Sequence, residues 1–177
     1  MRSHYMRFAF EKKEKAVPKD KGLHVLLEAI ANCFPASAGV EYSEITLYNN
    51  MENTFVTTAT TGKERDAEFA GKDFPYTLDD HKKTFTQRVM ESRNPLIVHD
   101  IGDTPMADTD RDIVERLGIK SAAIFPLFAG DRFIGSISFD FGGHTHRYSS
   151  EEINRMYGLA DLAAHMISYG EMLARPE

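Results

Sequence analysis

Residues 120–141 read Lys120-Ser-Ala-Ala-Ile-Phe-Pro-Leu-Phe-Ala-Gly-Asp-Arg-Phe-Ile-Gly-Ser-Ile-Ser-Phe-Asp-Phe141. Two strand-like runs, Lys120–Phe128 and Arg132–Phe141, flank Ala129-Gly130-Asp131, which is hairpin chemistry. The second run alternates: Ile134, Ser136, Ser138 and Asp140 share one side, and Gly135, Ile137, Phe139 and Phe141 share the other. Such a strand belongs to a sheet with one apolar and one polar face. Gly135 removes a side chain where a second backbone or a ligand approaches closely, and Pro126 suits an edge or a bulge.

Outward from this hairpin the chain alternates between helical and extended patterns. Upstream, Leu23, Leu26, Leu27, Ile30 and Phe34 line one face of a helix that Pro35 and Gly39 are expected to stop. Residues 40–48 and 54–60 read as a strand pair around Asn49-Asn50-Met51-Glu52-Asn53, and Thr61–Pro75 as a long loop. A helix capped by Thr77 or Asp79 and carrying His81, Phe85 and Val89 on one face ends before Asn94-Pro95. Leu96–Val98 is a short strand, and Thr109-Asp110-Arg111-Asp112 opens a helix that Gly118 closes. Downstream, Ser149 or Ser150 with Glu151 and Glu152 starts a long helix to about Ala174.

This order predicts an α/β (α+β) fold. Its central antiparallel sheet has about five to six strands, with the N- and C-terminal helices on one face and the shorter helices and loops over the other.

The bulk properties narrow the function classes. The 177 residues carry a formal charge of −6, but residues 1–22 hold seven Lys/Arg against three acids, leaving 14 basic and 24 acidic side chains in the remainder. A basic leader over 1–22 and one domain over 23–174 follow. An acidic domain repels phosphate backbones, so no direct nucleic-acid binding is expected, and the leader reads as a solvated arm. No apolar run reaches membrane-spanning length and no secretory signal is visible, so the expected setting is cytoplasmic, without membrane insertion. The single cysteine, Cys33, excludes an internal disulfide and reads as a buried structural thiol.

Three stretches in this order resemble the GAF family of PAS-like sensory domains. They are Thr86–Ile101 with its Arg88-Val89 helix end, short strand and Asp100; Leu117-Gly-Ile-Lys-Ser121 through Pro126-Leu127 to Gly130–Phe139; and Tyr148–Ile153 continuing through Leu159–Ile167. The likeness covers about residues 23–170. It implies a sensory or regulatory module that binds a small molecule over the sheet and relays the signal through its terminal helices. The alternative is a ligandless dimerisation and relay module of a sensor kinase, cyclase or transcriptional regulator, such as those of two-component systems. Homodimerisation through the terminal helices is expected either way, with any enzymatic output residing in an attached effector.

Several ligand chemistries of that family find no support in the residues. The chain has no Asn-Lys and no Asp-Glu dipeptide, which disfavours cyclic nucleotides. Cys33, on the first helix, is misplaced for a bilin, and Asp100-Ile101 is followed by Gly102 instead of proline. One thiol cannot complete a methionine sulfoxide reductase cycle by an internal disulfide. His81 and His99 are conceivable haem ligands, and His144 and His146 conceivable metal ligands, but packed or surface roles explain them better. No cofactor, no metal and no catalytic constellation is therefore expected. The polar strand face supplies the candidate ligand side: Ser136, Ser138 and Asp140, joined by Thr46 and Tyr48 from the first strand and by Ser121 and Phe125. Arg88, Asp100 and Arg111 close over it. Arginines in a polar pocket suit a small anion or polar metabolite.

Overall fold

The computed structural model describes residues 21–61 and 73–173; the basic leader expected over 1–22 lies outside them except for its last two residues. The elements run α1 (Lys21–Ala38), β1 (Tyr42–Asn49), β2 (Thr54–Thr60), β3 (Asp73–Pro75), α2 (Phe85–Ser92), β4 (Leu96–Val98), α3 (Asp108–Leu117), β5 (Ser121–Ala129), β6 (Arg132–Phe141) and α4 (Ser150–Leu173). Short 3-10 turns at Asp80–Lys82 and Ile101–Asp103 precede α2 and α3. The strands form one six-stranded antiparallel sheet in the order β3-β2-β1-β6-β5-β4. This is the α+β architecture expected, with β3 an additional strand at the end of the stretch read as loop.

The two faces differ as the alternation of β6 requires. Ile137, Phe139 and Phe141 join Leu27, Ile30, Phe34, Met156 and Ile167 in the core beneath α1 and α4. Ala160, Ala163 and Ala164 are buried in that core, so their small size serves packing within the domain. At Gly170 a notional Cβ would lie 3.1 Å from both Leu23 Cδ1 and Leu26 Cδ2, so the missing side chain lets α1 close on α4. On the opposite face, Phe85, Val89, Val98, Ile101, Ile119, Ala122 and Ile124 form a second, smaller cluster under α2 and α3.

Gly135 and Pro126 take the roles their positions suggest. A Cβ on Gly135 would stand 2.1 Å from the Thr46 carbonyl oxygen, so only glycine allows β6 to run this close to β1. Pro126 lies beyond the last β4 partner, Ile124, where its missing N–H costs no ladder bond. The register shifts next to it: Leu127 pairs with Gly135 and Phe128 with Phe133, which leaves Ile134 as the bulged residue. Ile134 joins the core beneath α1 and α4 instead of following Ser136 to the polar side.

Three local expectations are corrected. Pro35 does not end α1, which continues to Ala38, with Gly39 at φ +79°. The Ala31 carbonyl, deprived of a helical donor by Pro35, accepts the Ser43 hydroxyl at 2.9 Å and the Thr61 hydroxyl at 3.0 Å. The helix expected from Thr77 or Asp79 is split: Asp79 caps only the 3-10 turn, and Thr84 caps α2 by accepting the Gln87 N–H. Exposed His81 therefore does not share a helix face with Phe85 and Val89. Cys33 is exposed, because it falls outside the stripe of Leu27, Ile30, Ala31 and Phe34 that faces the core.

At the other end Ser149 and Glu152 form a reciprocal capping box, with Ser149 Oγ accepting the Glu152 N–H and Glu152 Oε2 accepting the Ser149 N–H. No helix of the described residues is long and apolar enough to cross a membrane.

Candidate functional site

Antiparallel register brings the polar side chains of adjacent strands together. Thr46 of β1 pairs with Ser136 of β6, and Glu44 with Ser138. On the other flank Asp140 pairs with Ala122 and Ser138 with Ile124 of β5. These seven residues from three neighbouring strands floor a cavity of about 60 Å³. Phe85 and Thr86 at the start of α2 roof it, with Asp110, Ile113 and Val114 of α3 and Ile119 just beyond. The volume accommodates only a few non-hydrogen atoms, well below the ~300 Å³ at the lower end of sites for drug-sized ligands.

The polar groups form a network across the cavity. Ser138 Oγ donates to Asp140 Oδ2 at 2.8 Å, Thr46 Oγ1 donates to Glu44 Oε1 at 3.1 Å, and the Thr86 and Ser136 hydroxyls share a hydrogen bond at 2.8 Å that ties roof to floor. Asp110 Oδ2 accepts the Phe85 N–H at 2.9 Å, joining the two roof helices. Burial pushes the Asp110 carboxyl up to about 7, and the nearby Glu44 carboxylate adds to this; the Phe85 N–H and the Arg88 guanidinium pull against it. Three carboxylates, those of Glu44, Asp110 and Asp140, thus line one small space, and no Lys or Arg does so among the described residues.

Of the residues singled out in the sequence, Thr46, Ser136, Ser138 and Asp140 meet in this cavity. The others lie elsewhere. Phe125 points to the opposite face, edge-on to Phe139 and Tyr157, because it alternates in phase with Ala123 and Leu127. Ser121 donates to the His99 carbonyl and accepts the His146 N–H, fastening the loop before α4. Tyr48 packs on Phe55 and Phe133 and donates to Asn53. Arg88 donates to the Pro105 carbonyl and sits 5.7 Å from the Phe85 ring. Asp100 and Arg111 line a separate surface pocket on the far flank of α3.

Glu44, Asp110, Thr86 and the apolar roof were not singled out. Glu44 shares the period-2 pattern with Thr46 and was legible in principle. Asp110 reads locally as a helix-start acid, and only tertiary packing turns it inward.

His99 and His146 serve structure. His99 Nδ1 accepts the Tyr148 N–H, and His146 stacks on Phe141 with its Nε2 2.9 Å from Glu152 Oε1. The Ser149 hydroxyl donates to Glu152 and has no bond to His146, so this trio is a helix cap rather than a nucleophile–base pair. Among the described residues no group of three His, Cys, Asp or Glu is placed to hold a metal ion.

Solved structures share this fold at low sequence identity. The GAF domain of a phosphoenolpyruvate-protein phosphotransferase from Coxiella burnetii matches with a TM-score of 0.70 at 15% identity, covering 87% of each chain. Free methionine-R-sulfoxide reductase from Neisseria meningitidis, in complex with its substrate, matches with 0.67 at 15% identity, covering 88% of this chain and 84% of that one. The phycocyanobilin-bound GAF domain of a cyanobacterial phytochrome matches with 0.65 at 16% identity, covering 87% and 88%. Comparison with curated proteins gave no match. The GAF domain family model matches residues 22–167, which span the whole sheet, most of both long helices and the cavity between floor and roof; the chain belongs to the GAF domain family.

Proposed function

We propose that this GAF domain is a cytoplasmic sensory module that binds a small polar ligand in the cavity between β1, β5, β6 and the α2–α3 roof. It then relays occupancy through the sheet to α1 and α4. The observation that carries this reading is the convergence of Glu44, Asp110 and Asp140 with four hydroxyl groups in one small cavity. The arginines that suggested an anionic ligand do not line that space. A partly buried cavity lined by carboxyl groups is complemented by a cation or a donor-rich group such as a primary ammonium. Binding without catalysis and without a resident cofactor is proposed.

The test is calorimetric titration of the full chain with methylammonium, propylamine and guanidinium, beside acetate and propionate. Amines are expected to bind and raise Tm, with Glu44→Gln/Asp140→Asn weakening them about tenfold or more. Binding of the carboxylates with no response to the amines would overturn the ligand class.

A second reading, dimerisation, rests on α4. Leu159, Leu162, Met166, Tyr169 and Leu173 repeat at intervals of three and four, the heptad spacing of a helix seam. Leu162, Tyr169 and Leu173 are 49%, 59% and 67% exposed, and a groove of about 390 Å³ runs between this seam and Leu23 and Leu26 of α1. A heptad seam is complementary to itself, so a second copy of this chain is the occupant proposed.

A further inference from the structure

The inner cavity adjoins a second pocket at the surface. That outer pocket, about 370 Å³, is bordered by Asp100, Met106, Arg111, Glu115 and Lys120. Val114 and Ile119 line both spaces. Helix geometry accounts for this: at about 100° per residue, Asp110, Ile113 and Val114 face the sheet, while Arg111, Val114 and Glu115 face outward, with Val114 on the boundary. Successive residues Asp110 and Arg111 therefore present a carboxyl and a guanidinium to adjoining spaces. Neither Arg111 nor Lys120 makes an ion pair among the described residues, whereas Arg93, Arg116 and Arg132 each have a carboxylate partner. The partition itself is apolar, and Ile101, Met106, Val114 and Ile119 continue it as the floor of the outer pocket.

We propose that the two spaces are the ends of one site for a bipolar ligand, a linear amino acid whose amine and carboxylate are separated by an apolar stem. The ammonium end occupies the inner cavity, the stem crosses between Val114 and Ile119, and the carboxylate end meets Arg111 and Lys120. The 60 Å³ inner space fits an ammonium group with little else, so most of the ligand has to lie outside it. The inference rests on the proposed amine-binding cavity and adds the second end, the stem and the crossing point.

Calorimetry on the full chain with 6-aminohexanoate, hexylamine and hexanoate tests it. Expected is binding of 6-aminohexanoate roughly tenfold tighter than hexylamine, the increment of one charge-assisted carboxylate contact. Arg111→Gln/Lys120→Gln, both on exposed side chains, is expected to erase that increment while hexylamine affinity stays within about twofold. Val114→Ala, which thins the partition, is expected to favour 6-aminohexanoate further. Equal affinity for hexylamine and 6-aminohexanoate would remove the bipolar site and leave the amine cavity standing. Hexanoate binding as tightly as 6-aminohexanoate would reduce the site to the outer pocket and overturn the proposal. Failure of all three probes, together with failure of methylammonium and propylamine, would remove both.

Discussion

The Asp110 carboxylate, in the first turn of α3, accepts the backbone N–H of Phe85, the first residue of α2, at 2.9 Å. One side chain thus caps a neighbouring helix, joins the two roof elements and lines the cavity beneath them. Its carboxyl is pushed by burial up to about 7, against roughly 4 for an aspartate in the unfolded chain. The folded state therefore holds this proton more tightly than the unfolded one. The stabilisation from Asp110 is complete below about pH 4 and is lost as pH rises to about 7. Asp110→Asn keeps an oxygen for Phe85 and removes the titration. The difference between wild-type and variant stability, from urea unfolding at a series of pH values, should change between pH 4 and 7 in the variant's favour. A difference independent of pH would refute this assignment.

Gly135 and Gly158 predict opposite outcomes of one substitution. Gly135→Ala places a Cβ against the Thr46 carbonyl, where backbone must move, and should cost at least about 3 kcal/mol or prevent folding. Gly158 is exposed within α4 with nothing within 4 Å of a notional Cβ, so Gly158→Ala should stabilise by about 0.5–1 kcal/mol. Thermal unfolding of both variants reads the contrast. A destabilised Gly158→Ala would mean that this helix face is packed against something.

Pro35 leaves the Ala31 carbonyl dependent on two hydroxyl groups from the sheet side. Ser43→Ala should cost about 1 kcal/mol, since Thr61 still serves the same oxygen. Ser43→Ala/Thr61→Val strips a buried carbonyl of both donors, and its cost should exceed the sum of the single changes. Chemical denaturation of the four proteins in a double-mutant cycle measures the coupling; strict additivity would show that the carbonyl finds another partner.

The exposed seam of α4 separates association from folding. Leu162→Glu/Tyr169→Glu alters side chains that are 49% and 59% exposed, so the chain should remain folded by circular dichroism. Sedimentation equilibrium should show a dimer for the wild-type chain and a monomer for the variant, because charges facing each other across a two-fold seam repel. Wild-type protein that sediments as a monomer at high micromolar concentration would end the dimer reading.

The alternation of Ile137, Phe139 and Phe141 against Ser136, Ser138 and Asp140, the punctuation by Gly118 and Gly130, and the apolar stripes of the long helices determined the sheet, its two faces and the roles of the terminal helices. Each is a short-range pattern in which side-chain direction follows from backbone period alone. Other features lie beyond such patterns. Pro35 reads as a helix stop until Ser43 and Thr61, distant in sequence, supply the missing donors. Phe125 and Ser121 read as polar-side residues, although the register sends them elsewhere. Asp110 reads as a helix-start acid, and only the packing of α3 above the sheet brings its carboxyl into one cavity with Glu44 and Asp140 and leaves the arginines outside. The family and the two-faced sheet were therefore written locally in the sequence, while the cavity's charge was decided by tertiary contacts. A pocket sums side chains from distant segments, and no local period records which of them will meet.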